Sequence, residues 1–596
     1  MALVVSQCHM TALDKAVQCH MNGEVHQAEG FYREVLASQP HHAKATQFLG
    51  VLLFQSGQEA VGLQLLERAT ELNPYDSESW SNLGNAYFAS GLNSQAVTVL
   101  EKSIQLDGNN ASAHCTMSAC LRQPGTMSDS IESARRALRL NSHLVQAHCN
   151  LGNSLIGVGD ISGAIAAFEQ ALYLAPNCLE ARQSHTFALQ YSDRHSAQDI
   201  LVSAQKLGSI FPYVAPKSTT APLKTVAFLS GDYLTHPVAF FLDPLLRNLD
   251  RIRHKVVLLS NSTKSDSWTE KLQSYGDEFH DVTGLSDQGL KDLCSEREID
   301  CVIDLSGHTA SNRLGALALR LAPLQASWLG YSGTTGLPNM DWIVADRTLV
   351  AQDQEGHYTE RTAALPGSAF CFDPSRITTE VAEAPCLKNG FVTFGSYNNL
   401  AKLSPQAVAL WSEVMHKVEG SRLVLKTLHL GEAKLADKVR HQFAQRGIDP
   451  VRLTVSGHID ALNHFASFSE IDIVLDSTPY SGATTTVEAV YMGVPVVTLL
   501  GDRYAGRMSA SILARIGKSD WIASDSATFV DTAVQLARDF EDLEKTRQGL
   551  RDDVEQSDLC DGVLFAKFFQ DNLDSMWSES LTGQSTNTET MNEQAA

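Results

Sequence analysis

The chain has 596 residues, is 43% hydrophobic and 19% charged, and carries a formal net charge of −22. That length accommodates three or four domains with cores of their own, and the acidic balance excludes a nonspecific binder of nucleic acid or anionic membrane, which needs basic surface. The eleven cysteines show no CxxC pairing, the N-terminal MALVVSQCHMTALDKA lacks a basic and apolar leader, and no uncharged run reaches the roughly 20 residues that cross a bilayer. The sequence therefore reads as a soluble, cytoplasmic protein with reduced thiols.

Residues 1–200 are repetitive. Helix-stopping residues recur at Pro40, Pro74, Gly108, Ser142 and Pro176, each 34 positions after the last. Gly23, Gly57, Gly91, Gly125 and Gly159 keep the same step, as do the small residues Ala28, Gly62, Ala96, Ser130 and Ala164. Three registers at one period, with Gly at the inner turn, are the tetratricopeptide (TPR) signature. Five repeats over about residues 7–176 predict an α-solenoid with a concave face for an extended polypeptide, and 177–200 reads as a closing helix. Asn82 and Asn150 share one helix position two repeats apart and are candidates for gripping a peptide backbone, although Phe48 and Thr116 interrupt the ladder.

The text FPYVAPKSTTAPL breaks the helical period and marks a linker at 201–222. From 223 to 388, apolar strand-like runs at 225–229, 255–259 and 301–305 alternate with helical segments, which predicts a parallel sheet whose ligands lie at the carboxyl ends of the strands. Three polar clusters fall at such ends: SGDYLTHP with Asp232 and His236, LSGHTASNR with His308 and Asn312, and LGYSGTTGLP with Tyr331. His236, just before Pro237, is a candidate general base. His308 is a candidate on the acceptor side.

The pattern restarts at 389 and runs to about 577. A strand at 391–395 leads into a polar loop with Asn399 and Lys402, whose ammonium suits a pyrophosphate leaving group. His464 lies on a helix at 461–468 and is a candidate for stacking on a nucleobase. The stretch from Asp476 to Pro495, DSTPYSGATTTVEAVYMGVP, joins two strands through a Gly-containing loop and a helix opening at Thr484, Thr485 and Thr486. A helix start presents free amides and the positive end of its dipole, a setting for phosphate, and Glu488, one turn on, suits sugar hydroxyls. The polar residues 578–596 read as a disordered tail. Two α/β halves, a phosphate-suited helix start and no GxGxxG predict a nucleotide-sugar enzyme of the two-Rossmann (GT-B) type. No metal-ligand spacing is present, so neither a metal nor a cofactor is expected.

The motifs SGDYLTHP, LSGHTASNRLG, RLAPLQASWLGYSGTTGLPNMDWIVAD, FGSYNNLAKLSP and DSTPYSGATTTVEAVYMGVPVVTLLG, in this order and behind TPR repeats, resemble the protein O-GlcNAc transferases and SPINDLY proteins of glycosyltransferase family 41. The resemblance implies an inverting, metal-free transfer from a nucleotide sugar to Ser or Thr of intracellular proteins held in the TPR groove. It places His236 at a histidine put forward as base, Lys402 at a diphosphate-contacting lysine, Asn399 at a neighbouring Gln, and His464 near the nucleobase. Ala483, Thr484 and Thr485 fall at the pyrophosphate, with Thr486 completing the run, and Glu488 replaces a ribose-binding Asp. Animal O-GlcNAc transferases carry His at the Ala483 position and an insertion between the halves that this chain lacks. FGSYNNLAK, LSGHTASN and EAVYMGVP are closer to SPINDLY, whose plant members use GDP-fucose. The expected donor is UDP-GlcNAc, with GDP-fucose as the alternative; a TPR scaffold without catalysis is a further reading, and homo-oligomer formation is left open.

Overall fold

The computed structural model describes the backbone of residues 10–217, 221–457 and 461–593, and the side chains of all of these except 461, 462 and 581–593. The chain divides into two compact units, Met1–Leu155 with Ala166–Pro176, and Ile156–Ile165 with Asn177–Ala596.

The first unit is built of antiparallel helix pairs, beginning with Ala12–Met21 and Val25–Ser38, then Ala43–Gln55 and Glu59–Leu72. Ser77–Ala89 pairs with Asn93–Leu106, and Ala111–Cys120 with Met127–Leu140. The period of the sequence has a backbone cause. Gly23, Gly57, Gly91 and Gly125 all sit at the inner turn with φ between 75° and 87°, where a side chain is strained. The small residue of each second helix lies where the paired helices touch: a Cβ on Gly62 would come within 2.7 Å of Phe54.

The second unit carries two parallel sheets. In the first, β1 (Thr225–Ser230), β2 (Lys255–Ser260), β3 (Glu278–Asp281), β4 (Cys301–Asp304), β5 (Leu324–Ser327), β6 (Trp342–Asp346) and β7 (Arg361–Leu365) lie in the order β3-β2-β1-β4-β5-β6-β7. β1 is central, with Val226 paired to Val256 on one side and Cys301 on the other. In the second, β8 (Thr393–Ser396), β9 (Arg422–Lys426), β10 (Leu453–Ser456), β11 (Ile473–Leu475), β12 (Val496–Leu499) and β13 (Ile522–Ala523) lie in the order β10-β9-β8-β11-β12-β13. The strand order reverses beside β1 and beside β8, the switch points where open α/β sheets bind ligands. The two Rossmann-like halves expected from the sequence are thus present.

Two boundaries differ from the sequence reading. Residues 177–208 form two helices, Leu179–Gln190 and Ala197–Gly208, that group with the sheets rather than with the repeats. Burial explains this: Leu207 is fully enclosed in the cluster that contains Ala227, Leu229 and Val257 of β1 and β2. The tail expected to be disordered instead continues a helix, Gly562–Glu593, which is anchored by buried Phe565, Phe569 and Trp577. A helix already nucleated by packing extends at low cost through polar residues. Among the described residues no helix is long and apolar enough to cross a membrane.

Candidate active site

The loop after β8 and the loop after β11 build the centre of the site. Asn399 caps the 3-10 turn Leu400–Lys402, its side-chain oxygen accepting from the Ala401 amide at 3.0 Å. The turn carries Lys402 toward the second loop, where its Nζ donates to the Ser481 carbonyl at 2.7 Å and lies 4.3 Å from the centre of the Tyr480 ring. Ser481 is held in turn, its amide donating to the Ala505 carbonyl at 2.8 Å. Withdrawal from water lowers the Lys402 pKa to about 8, against the pull of Asp476.

Asp476, at the end of β11, is the pin of this arrangement. One oxygen accepts from the amides of Ser477 and Gly482 and from Asn398, and the other from Thr498. Asn398 also accepts from the Thr485 hydroxyl at 2.7 Å, and Thr486 pairs with Ser509 at 2.7 Å. The helix Thr484–Tyr491 begins from Ala483, whose carbonyl accepts the amides of Thr486 and Val487. Ala483 therefore occupies the cap position, and no threonine caps the helix. The amides of Thr484 and Thr485 open the helix with no intrahelical partner, beside a cation that comes from another loop. Gly482 permits the close fit, because a Cβ there would stand 2.4 Å from the Thr486 hydroxyl.

One turn into the helix, Glu488 is buried with both carboxylate oxygens engaged. Arg376 donates to one at 2.6 Å, and His464 Nε2 contacts the other at 3.0 Å. The remaining ring nitrogen of His464 lies 3.3 Å from Lys426 Nζ. An ammonium can only donate, so His464 Nδ1 accepts and Nε2–H donates to Glu488. Burial pushes the Glu488 carboxyl up, but the bond from His464 and the Arg376 charge outweigh it and hold it below the usual range. Lys426, the last residue of β9, is lowered to about 8 by burial, and it also bonds Ser467 at 2.5 Å and sits 3.8 Å from the Tyr397 ring centre.

In the first half, His236 caps the helix Pro237–Asn248, Nδ1 accepting from the Val238 amide at 3.3 Å, with Asp232 Oδ2 at 3.8 Å. Burial lowers the His236 pKa and raises that of Asp232, and their mutual attraction opposes both shifts. His308 is buried at the end of β4. Its Nε2–H donates to the Thr335 carbonyl at 2.9 Å, its Nδ1 has no partner among the described residues, and burial drives its pKa to about 4. The neighbouring segment meets the second half where the Tyr480 hydroxyl donates to Ser332 at 3.3 Å and Tyr191 stacks on Tyr480 with ring centres 4.8 Å apart.

The sequence reading named Lys402, Asn399, Ala483, the three threonines, His464 and Glu488, and the structure gathers them around two adjoining loops and one helix end. It missed Asn398, Asp476, Lys426 and Arg376. A charged residue ending the apolar strand SRLVLKT was a signal for Lys426; Arg376, in an irregular loop, gave none. The proposed peptide-facing role of Asn150 is corrected. Asn150 is buried, and its amide donates to the Cys115 carbonyl at 3.0 Å, joining neighbouring helices. Asn82 is part-exposed on its helix.

Comparison with known proteins adds a relationship. The family model for glycosyl transferase family 41 matches residues 183–385 and 374–568, and tetratricopeptide models match 22–77, 77–110 and 145–178. A probable UDP-N-acetylglucosamine–peptide N-acetylglucosaminyltransferase SPINDLY from Solanum lycopersicum is 34% identical over 67% of this chain and 44% of its own. The SPINDLY protein of Petunia hybrida is 37% identical over 59% of this chain and 38% of its own. A UDP-N-acetylglucosamine–peptide N-acetylglucosaminyltransferase of Caenorhabditis elegans is 21% identical over 60% and 41%. The matches thus span less than half the length of these relatives. Among solved structures, a lysine-to-methionine variant of Thermobaculum terrenum O-GlcNAc transferase superposes with a TM-score of 0.80 at 29% identity, covering 85% of this chain and 98% of that one.

Proposed function

The chain belongs to glycosyl transferase family 41, and from that premise we propose that it is an inverting protein O-glycosyltransferase. It moves N-acetylglucosamine from UDP-GlcNAc to Ser or Thr hydroxyls of proteins that dock on the repeats. The observation that carries this reading is the Lys402 ammonium set against the loop that runs into the Thr484 helix start. A diphosphate there meets one cation and two unspent amides, which stabilise the charge gained as the anomeric C–O bond breaks.

The acceptor hydroxyl attacks the anomeric carbon from the face opposite the diphosphate. The new C–O bond forms as the old one breaks, the diphosphate leaves with the electron pair, and the hydroxyl proton passes to a base. His236 serves as that base when its ring turns from the Val238 amide, so that Nδ1–H bonds Asp232 and Nε2 presents its lone pair. The 3.8 Å between His236 and Asp232 allows that change with a small shift. Glu488 accepts ribose hydroxyls, His464 borders the nucleobase, and Asn399 caps the turn that carries Lys402.

A second reading, transfer of fucose from GDP-fucose, is favoured by the closeness of FGSYNNLAK and EAVYMGVP to SPINDLY proteins. Isothermal titration of the purified chain with UDP-GlcNAc, UDP-glucose and GDP-fucose separates the two. Tightest binding of UDP-GlcNAc supports the first reading, and preference for GDP-fucose replaces it with the second. Binding of none of the three would reduce the chain to a TPR scaffold.

A further inference from the structure

Arg376 lies in the connection between the two halves, in a short 3-10 turn, Pro374–Arg376. Its guanidinium stands 4.2 Å from the Phe240 ring centre and 5.2 Å from that of Phe465, and it donates to Glu488 at 2.6 Å. Phe240 belongs to the helix capped by His236, one turn on: its amide bonds the His236 carbonyl at 3.2 Å. Phe465 belongs to the helix that carries His464. One side chain is therefore sandwiched between an aromatic of each half and grips the carboxylate assigned above to the ribose. Arg376 Nε is buried and has no acceptor among the described residues.

Glu488 has four lone-pair sites, and two are taken by Arg376 and His464. A carboxylate fixed at one oxygen by a guanidinium and at the other by an imidazole N–H has little freedom left in its last torsion. The lone pairs that remain then have set directions before any ligand arrives, and pre-organisation of this kind is what makes a hydroxyl contact discriminating. An imidazole bond alone leaves the carboxylate free to pivot about it.

We propose that Arg376 is the positioning residue of the donor-ribose subsite: it locks Glu488 so that the carboxylate reads the ribose hydroxyls of the nucleoside diphosphate. The inference rests on the donor-site reading given above. It assigns Arg376 no part in bond making. The Phe240 contact fixes Arg376 to the half that bears His236, so the ribose carboxylate is held from both sides of the cleft.

The test is titration of UDP and GDP, each against its 2′-deoxy and 3′-deoxy counterpart, into the wild type, Arg376→Gln and Arg376→Lys. For the wild type, removal of a ribose hydroxyl weakens binding about tenfold, the worth of one charge-assisted bond. In Arg376→Gln the ribo form binds about as weakly as the deoxy form, the donor KM rises about tenfold, and kcat at saturating donor stays within about twofold. Arg376→Lys keeps the charge but loses the fork, and it recovers part of the discrimination. A wild-type ratio of ribo to deoxy affinity in a folded Arg376→Gln overturns the proposal. If Arg376→Gln does not fold, the same ratio measured in Arg376→Lys and Phe240→Leu decides: unchanged discrimination in both overturns it. Absence of binding by the wild type to either nucleotide would fell the donor-site reading itself, whereas binding without ribose discrimination would fell only this inference.

Discussion

Lys402 Nζ stands 2.7 Å from the Ser481 carbonyl, three residues before the helix that opens at Thr484. The cation and the helix end belong to different loops, and this bond ties them together beside those that Asn398 makes to Asp476 and Thr485. Lys402→Ala is expected to lower kcat by about 10²–10³-fold, the scale of losing one preorganised donor to a developing anion. KM for the protein acceptor should change little, as measured by transfer of labelled sugar at varied acceptor. A variant that keeps its rate removes Lys402 from the chemistry.

The lowered pKa of Lys402, about 8, gives donor binding a pH dependence with a definite sign. A diphosphate needs the ammonium, so affinity falls as pH rises through about 8. Stability runs the other way. The unfolded chain keeps this proton up to about 10.4, so from about pH 8 upward the unfolded state binds more protons and the folded state gains relative to it. Titration calorimetry at pH 7, 8 and 9 should show the loss of affinity in the wild type and a flatter profile in Lys402→Arg, whose guanidinium stays charged. Lys426 is shifted in the same direction, and an identical fall in both proteins would assign the effect there.

His236 has two possible partners, the Val238 amide and the Asp232 carboxylate. Only the second leaves Nε2 able to take a proton. Asp232→Asn should therefore cut kcat by about 10²-fold or more while nucleoside diphosphate affinity holds, since it removes the group that orients the base. His236→Asn preserves a helix cap and should lose the rate without losing the fold. Full activity in both variants would leave His236 with the cap alone.

Asn150→Ala should act on stability rather than on recognition. The substitution removes the buried bond from the Asn150 amide to the Cys115 carbonyl, which keeps the Ser118 hydroxyl as a donor, at a cost of about 0.5–1.5 kcal/mol. Thermal unfolding should show a lowered midpoint, with the acceptor KM of the folded protein unchanged. An unaltered midpoint together with a raised acceptor KM would return Asn150 to the peptide-binding surface.

The sequence was legible where one residue type has one physical use. The glycines at 34-residue steps stand for a left-handed turn that other residues resist, and the repeat could be read from them directly. The strands β1, β2, β8 and β12 were visible as β-branched runs because both faces are buried. By contrast β3, an edge strand reading Glu278–Asp281, carries no apolar run, and its half-exposed pattern hides it. Within the site, Lys402 and the threonine run were readable because phosphate chemistry constrains them. Arg376 and Asp476 were not, since their importance comes from partners 112 and 22 positions away, and one sequence carries no mark of such pairings. Asn150 was misread because a polar residue at a repeated helix position looks the same whether it faces a groove or bridges two helices.

The placement of residues 177–208 with the sheets bears on how such proteins are cut and recombined. The transferase module brings its own collar of two helices, with Tyr191 laid against Tyr480 and Leu207 sunk into the strands. A graft that exchanged the repeat array at the Pro-rich stretch after Phe211 would tear out that collar and bare the apolar surface beneath it. A seam close to Pro176 spares both, and lineages trading repeat arrays would be expected to carry their joins there.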